Sequence, residues 1–278
     1  MPKTEEKTDF DERSMRLKRL EDFRKTGNPY PDKFDKKQSL SEAKSLKEGS
    51  KVKTAGRIMT RREMGKIIFC HLQDFSGKIQ VVLKEDELKG NFKFFLDHFD
   101  LGDFLGVEGE IFTTKKGEIS ILVEKYEMLG KAILPLPEKW HGIKDTEIMY
   151  RKRYLDLIAN EETLKRFVFR SELVKNIRGF YWERGFQEVE TPILCNTASG
   201  ATAKPFVTHH NALDLDVYLR IAPEIFLKEC IVGGFEKVFE IGRCFRNEGM
   251  DPSHLQDFTM LEHYVAYWNF EDNMVFTE

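Results

Sequence analysis

The sequence has no CxxC pair, no apolar run long enough to cross a membrane, and no excess of positive charge. Its four cysteines, Cys70, Cys195, Cys230 and Cys244, lie far apart in apolar or strand-like contexts. That spacing excludes a CxxC-type cluster and predicts buried free thiols in a reducing compartment. No apolar N-terminal segment of signal length is present, so the expected location is the cytoplasm, without a membrane partner. The net charge of -3 removes any global signal for nucleic acid and leaves only local basic surface. Such a surface exists near the start. Residues 1–53 hold 15 Lys/Arg against 11 Asp/Glu. This basic arm reads first as a solvated helix face and second as a contact for a polyanion.

What is present is an ordinary globular balance, 41% hydrophobic and 33% charged, over 278 residues. The length suits two domains, and 23 phenylalanines stock their cores. Residues 1–10 are polar and expected to fray. The spacing of Met15, Leu17, Leu20 and Phe23 predicts a helix from Asp11 to about Lys25, stopped at Gly27-Asn28-Pro29. Five β-like runs follow: VKTAGRIMT, KIIFCHLQD, GKIQVVL, FLGVEGEIFTT and GEISILVEKYEML. Turns fall at Gly65, Ser76-Gly77 and Lys116-Gly117, and the helix candidate KGNFKFFLDHFDLG separates the third and fourth runs. This order predicts a five-stranded Greek-key barrel of oligonucleotide-binding type. Such barrels read single strands on the face of strands 2 and 3, with Phe69 and Gln80 as candidates and Arg61 and Arg62 nearby. Pattern alone leaves Phe69 open between a stacking platform and a core ring.

Pro135, Pro137 and His141-Gly142 mark a linker. In DTEIMYRKRYLDLIAN, residues Tyr154, Leu155, Leu157 and Ile158 form an apolar cluster. The stripe Leu164, Phe167, Val168, Val174, Ile177 and Tyr181 then predicts a helix from about Glu162 to Glu183, ended by Gly185. FQEVETPIL reads as a strand that breaks at Pro192. Residues 196–210 read as a small, polar loop whose Gly200 permits close approach to a ligand. LDLDVYLR is a strand. Pro223 opens a helix, PEIFLKECIV, closed by Gly233-Gly234, which puts Glu224 in its first turn. There Glu224 would bind an ammonium group or simply favour the helix N-terminus.

Residues 237–264 hold the densest polar chemistry. Alternation puts Val238, Glu240, Gly242, Cys244, Arg246 and Glu248 on one face, against Phe239, Ile241, Arg243 and Phe245. After a polar turn, FTMLEHYVAY is a second strand with Phe258, Glu262 and Tyr264 on a common face. The commoner meaning of paired Arg and Glu on a strand is a salt-bridged solvent face. The alternative is a pocket for a ligand bearing phosphate and base, with Arg246 for the phosphate and an aromatic ring for the base. Asn269 is an N-cap for a final helix from Phe270.

FEIGRCFRNEG followed by FTMLEHYVAY resembles the second signature motif of class II aminoacyl-tRNA synthetases. The run THHNALDLDVYLRIAPEIFLK before it is similar to the lysyl-tRNA synthetase family within that class. GFQEVETPIL resembles the first class motif, HG…YRKRYLDLI the inter-domain segment, and MTRREMGKIIFCHLQD the anticodon-binding barrel. The resemblance implies a lysine–tRNA ligase that uses ATP and Mg2+ to form lysyl-adenylate and passes lysine to tRNA(Lys). It implies that Arg246 binds the ATP α-phosphate, Glu248 accepts from the adenine amino group, Phe258 stacks on the adenine, and His254 contacts the terminal phosphates. Gly200 and Glu224 would hold the amino-acid end of lysine, with Glu262 and Tyr264 lining its pocket. Phe69 and Gln80 would stack on and bond to the central anticodon uridine, with Arg62 and Glu118 beside them. A homodimer through the motif 1 region is also implied.

The resemblance implies four divisions: an N-terminal helical extension over 1–49, an oligonucleotide-binding domain over 50–130, a linker over 131–145 and a catalytic domain over 146–278. The fold class expected is α+β, a five-stranded OB-fold barrel followed by an incomplete class II synthetase domain built on an antiparallel sheet flanked by helices. Two departures stand out: Ser199 where the family reads glycine, and Gln256-Asp257-Phe258 where it commonly reads Pro-Glu-Phe. The third motif, with an arginine for the γ-phosphate and the metal-holding residues, is expected beyond residue 278. A truncated chain with little activity alone is the corresponding expectation. The alternatives are a non-catalytic tRNA- or nucleic-acid-binding module derived from a synthetase, and a synthetase-like ligase acting on another amine.

Overall fold

A computed structural model describes residues 5–136, 143, 145–197, 200–249, 251 and 253–278, with side chains from residue 11 onward. Pro137, His141, Gly142, Ser199 and Pro252 therefore lie outside the described residues. The chain forms two units, residues 1–161 and 162–278.

The first unit opens with α1 (Glu5–Arg24) and α2 (Leu40–Ser45). Helix α1 starts earlier than Asp11, within the stretch expected to fray. Its arginines are not all solvated. Arg16 is 4% exposed, and its Nη1 donates to the carbonyls of Leu101 at 2.9 Å and Ala132 at 3.1 Å. The short α2 was not read from the sequence, although its capping box is written there: Ser39 caps the Glu42 amide while Glu42 caps the Ser39 amide.

The five predicted runs become β1 (Lys51–Met64), β2 (Ile67–Gln73), β3 (Lys78–Lys84), β4 (Phe104–Thr113) and β5 (Ile119–Gly130). The expected helix divides into α3 (Glu85–Leu88) and α4 (Gly90–His98). The expectation of a five-stranded barrel needs correction in its closure. The pairing runs β1-β2-β3-β5-β4 and returns from β4 to β1. The β3–β5 seam, however, is parallel and joins only Gln80–Ser120, Val81–Ile121 and Val82–Leu122. The β1–β2 ladder also slips between Ile58 and Thr60. The unit is thus a five-stranded sheet curled round through a short seam, not an evenly sealed barrel. Its inner face is apolar: Ile68, Cys70 and Leu72 of β2 are fully buried beneath Phe95 and Phe99. Each such burial is worth roughly 1.5–3 kcal/mol. Two short helices, α5 (Thr146–Arg151) and α6 (Arg153–Ala159), complete the unit. In α6 the expected apolar cluster is not the buried part, since Asp156 is buried while Tyr154 is 60% exposed.

The second unit begins with α7 (Glu161–Glu183). Its predicted stripe is only partly covered. Tyr181 is buried, but Phe167 is 46% and Val168 37% exposed. The strand expected over FQEVETPIL splits at Pro192, which lacks a backbone donor, into β6 (Gln187–Glu188) and β7 (Leu194–Cys195). Next come β8 (Val207–His210), β9 (Leu215–Leu219), α8 (Glu224–Val232), β10 (Lys237–Phe245), β11 (Asp257–Val265) and α9 (Phe270–Thr277). Strand β8 falls in the stretch read as loop, because its pairing with β9 is tertiary information. The antiparallel pairing expected here holds for β10–β11, β7–β9 and β8–β9. There are two three-stranded sheets, β11-β10-β6 and β7-β9-β8, and β6 runs parallel to β10. Tyr181, Phe186 and Phe239 form the core under the first of these.

Candidate functional site

The hairpin of β10 and β11 pairs without a slip from Lys237–Val265 to Phe245–Asp257. Its register sets Val238 opposite Tyr264, Glu240 opposite Glu262, Gly242 opposite Met260 and Cys244 opposite Phe258. Directly opposed residues share a face, so the alternation read from sequence becomes one surface carrying three candidate side chains of β11, Phe258, Glu262 and Tyr264. Arg246 lies just past the end of β10, tied by its amide to the Gln256 carbonyl at 2.8 Å. Its guanidinium sits 5.1 Å from the centre of the Phe258 ring. The Arg246 Nε is buried and bonds to no described residue. A buried donor without a partner carries a desolvation cost that a phosphate oxygen would relieve.

Further along the same face, the Tyr264 hydroxyl donates to Glu262 at 3.3 Å. Burial pushes the Glu262 carboxyl up, and the charges of Glu224 and Glu240 push the same way, against Tyr264 and Arg220. Burial also raises the Tyr264 phenol, helped by Glu262 and Glu224. Three carboxylates thus act on one small region, a field suited to an ammonium group. Lys228 of α8 already supplies one, bonding Glu224 at 2.5 Å with its Nζ 5.7 Å from the Tyr264 ring centre. Gly200 packs beside Glu224. Its φ is +93°, and a Cβ there would stand 3.1 Å from the Ala222 Cβ and 3.2 Å from the Glu224 Cβ. Gly200 and Glu224 are therefore neighbours, as are Arg246 and Phe258, and Glu262 and Tyr264.

The Glu248 carbonyl accepts from Gln256 Nε2 at 3.3 Å, but among the described residues neither the Glu248 nor the His254 side chain bonds to that surface. Glu248 is exposed. His254 is exposed too, and its Nδ1 lies 2.7 Å from Asp251. Hydrogen bonds from Ser253 and His254 hold the Asp251 carboxyl well below the usual carboxylate range.

Sequence reasoning missed a buried pair on this same face. Arg220 and Glu240 form an ion pair at 2.6 Å, 2% and 4% exposed. Arg220 also donates to the Thr191 hydroxyl at 2.8 Å and the Arg243 carbonyl at 2.8 Å, and Thr191 donates to Glu240 at 2.6 Å. The pair joins the segment after α7, the end of β9 and the middle of β10. The one sequence signal was a glutamate inside the apolar run VFEIG.

A second surface lies on the outer face of β2 and β3. Arg62 pairs with Phe69 and Phe69 with Val82, so these stand in one row. Phe69 is half-buried and Arg62 exposed. The neighbouring row runs Thr60, His71, Gln80, Ser120 across four strands. Gln80 donates to Glu118 at 2.8 Å, and Glu118 lies 2.9 Å from the His71 Nε2. Phe69, Gln80, Arg62 and Glu118 are thus brought together, and His71 is a member that sequence reasoning did not name. Its period-2 relation to Phe69 was the available signal.

Residues 145–278 match the family of class II tRNA synthetases (D, K and N), and residues 52–129 match the OB-fold nucleic acid binding domain. A lysine–tRNA ligase of Fervidobacterium nodosum is 50% identical over 277 residues, covering 96% of this chain and 54% of its own. One from Aquifex aeolicus is 54% identical over 228 residues, covering 82% of this chain and 38% of its own. One from Lactococcus lactis is 50% identical over 280 residues, covering 96% and 56%. The chain belongs to the class II lysyl-tRNA synthetase family. It spans about half the length of the curated relatives it matches.

For a member of this family, the hairpin is the second-motif segment and the five-stranded sheet is the anticodon-domain segment. Among the described residues, no three of His, Cys, Asp and Glu converge to hold a metal ion. Magnesium commonly binds through substrate phosphates and one or two carboxylates. Among those residues no helix is long and apolar enough to cross a membrane. Among the cysteines, Cys70, Cys195 and Cys244 are buried as expected, but Cys230 is only half-buried, and none forms a disulfide.

Proposed function

We propose that this chain supplies the ATP- and lysine-binding hairpin and the anticodon-reading face of a cytoplasmic, homodimeric lysine–tRNA ligase. The observation that carries the reading is the Arg246 Nε, buried and without a partner among the described residues, beside the Phe258 ring. Arg246 meets the α-phosphate of ATP and Phe258 stacks on the adenine, with Glu248 and His254 closing over the base and the terminal phosphates. Lysine lies with its ammonium groups toward Glu224, Glu262 and Tyr264, and Gly200 allows its backbone to approach. In the first step a lysine carboxylate oxygen bonds to the α-phosphorus, and the bond to the bridging oxygen breaks to release pyrophosphate. In the second a terminal ribose hydroxyl of tRNA(Lys) attacks the lysyl carbonyl and AMP leaves. No protein nucleophile takes part. The hairpin acts by holding the reactants in line and by placing positive charge where the phosphorus becomes five-coordinate. Magnesium bound to the triphosphate would neutralise charge between the two anionic reactants.

Phe69 and Gln80, with Arg62 and Glu118, contact the anticodon. The exposed apolar residues of α7, among them Phe169 at 69% and Trp182 at 49%, suit a second copy of the chain across the first-motif region. The test is amino-acid-dependent pyrophosphate exchange by the whole protein with lysine, aspartate or asparagine. Exchange with lysine alone, reduced about 100- to 1000-fold by Arg246→Ala, is expected for one lost transition-state donor. Unchanged exchange in Arg246→Ala, or exchange driven by aspartate or asparagine, refutes the reading.

A further inference from the structure

One row of side chains on the five-stranded sheet is bonded end to end. His71 lies between Thr60 and Glu118, with Nδ1 2.8 Å from the Thr60 hydroxyl and Nε2 2.9 Å from Glu118 Oε1. The other carboxylate oxygen, Glu118 Oε2, accepts from Gln80 Nε2 at 2.8 Å. The Ser120 hydroxyl donates to Gln80 Oε1 at 2.9 Å. The backbone places these groups side by side, because Thr60, His71, Gln80 and Ser120 are register partners across β1, β2, β3 and β5. Gln80 is only 8% exposed, so its amide is closely confined.

An amide read by its two ends can be turned over, exchanging donor for acceptor. Here it cannot turn over freely. A reversed Gln80 would set its carbonyl oxygen against the Glu118 carboxylate, two acceptors facing each other without a hydrogen. Glu118 therefore decides which edge of Gln80 is donor and which is acceptor. Glu118 is itself about half exposed and is located by its bond to His71. If His71 were lost, the carboxylate could swing to water and the amide would be free to reverse. The distinction matters for a base. Uracil offers a ring N–H donor between two carbonyl acceptors, whereas cytosine offers a ring acceptor beside an amino donor. A fixed amide favours one pattern, and a reversible amide tolerates both.

We propose that His71 is a positioning residue for base selection. Through Glu118 it fixes the orientation of the Gln80 amide, and so the preference of this face for uridine over cytidine. This rests on the reading of the face as the anticodon contact.

The test measures binding of the chain to two short stem-loop RNAs that differ only in the central anticodon base, UUU against UCU. Wild type prefers UUU. His71→Ala reduces that preference about tenfold, mainly by tightening UCU relative to UUU. His71→Gln, which can again donate to Glu118, recovers most of it. Phe69→Ala weakens both RNAs, since a stacking ring serves any base. Equal weakening of both RNAs by His71→Ala, or no change in either, overturns the proposal while leaving the anticodon reading intact. So does His71→Ala loss that His71→Gln fails to restore. A wild-type chain without a preference, or a Phe69→Ala variant that binds like wild type, overturns the anticodon reading and the proposal with it.

Discussion

Gly242 tests whether the buried Arg220–Glu240 pair on the hairpin's site face is held as tightly as its geometry implies. In an ordinary strand, Gly→Ala is stabilising by about 0.5–1 kcal/mol through backbone entropy and β-structure. At Gly242 an added Cβ would lie 2.1 Å from Arg220 Nη2 and 2.6 Å from Glu240 Oε1. A flexible arginine tip would normally swing aside. This one is held by Glu240 at 2.6 Å, the Thr191 hydroxyl at 2.8 Å and the Arg243 carbonyl at 2.8 Å, with 2% of the residue exposed. Moving the guanidinium leaves Glu240 as a buried charge with only Thr191 as donor, and breaking such a pair costs about 3–5 kcal/mol. Set against the ordinary gain, Gly242→Ala should destabilise the second unit by about 2–4 kcal/mol. The assay is urea unfolding followed by tryptophan fluorescence in a Trp140→Phe background, so that Trp182 and Trp268 report on that unit alone. Gly242→Ala at or above the stability of the background would show that the pair yields freely, and would refute the reasoning.

Two further predictions concern pH and thiol chemistry. Burial would raise the Asp74 carboxyl, but bonds from Lys36, Ser76 and the Leu40 amide outweigh it and bring the pKa from 3.8 to about 2. A depressed carboxylate contributes stability above its unfolded value that is lost as pH falls through the folded one. The first unit should therefore lose stability as pH drops from about 4 to about 2, and Asp74→Asn should flatten that part of the profile. Equal acid sensitivity in both proteins, measured by unfolding midpoints, would count against Asp74 as its source. Burial pushes the Cys70 thiol up to about 12, so a thiol reagent at neutral pH should leave it unmodified in the folded protein. Cys230, the least buried of the four, should react first, which mass spectrometry of a brief labelling would detect.

Much of the second unit's hairpin was legible because its information is local. Strand alternation needs only neighbouring residues, and the observed register put Phe258, Glu262 and Tyr264 opposite the β10 positions that alternation had grouped. The Asn269 cap and the start of α8 after Pro223 are equally local, and both appear as read. The misreadings share a different cause. Residues 196–210 look like loop because β8 becomes a strand only when β9 lies beside it. Pro192 marks the break in FQEVETPIL locally, but nothing short-range says that its halves join different sheets. The stripe on α7 looks like a core face because periodicity shows which residues align and not what covers them.

The charged side chains divide the same way. The amino-acid order alone determined the alternation that lines up Arg246 with Glu240, and the turn chemistry that brings β11 back antiparallel. Only the tertiary structure decided that Arg220 would reach over Gly242 to Glu240, that Arg16 would leave the solvated face of α1 for backbone carbonyls, and that His71 would hold Glu118. The reason is physical. Periodicity and capping are settled within a few residues by backbone geometry, whereas the partner of a buried charge is chosen by whichever distant group the fold places within hydrogen-bond reach.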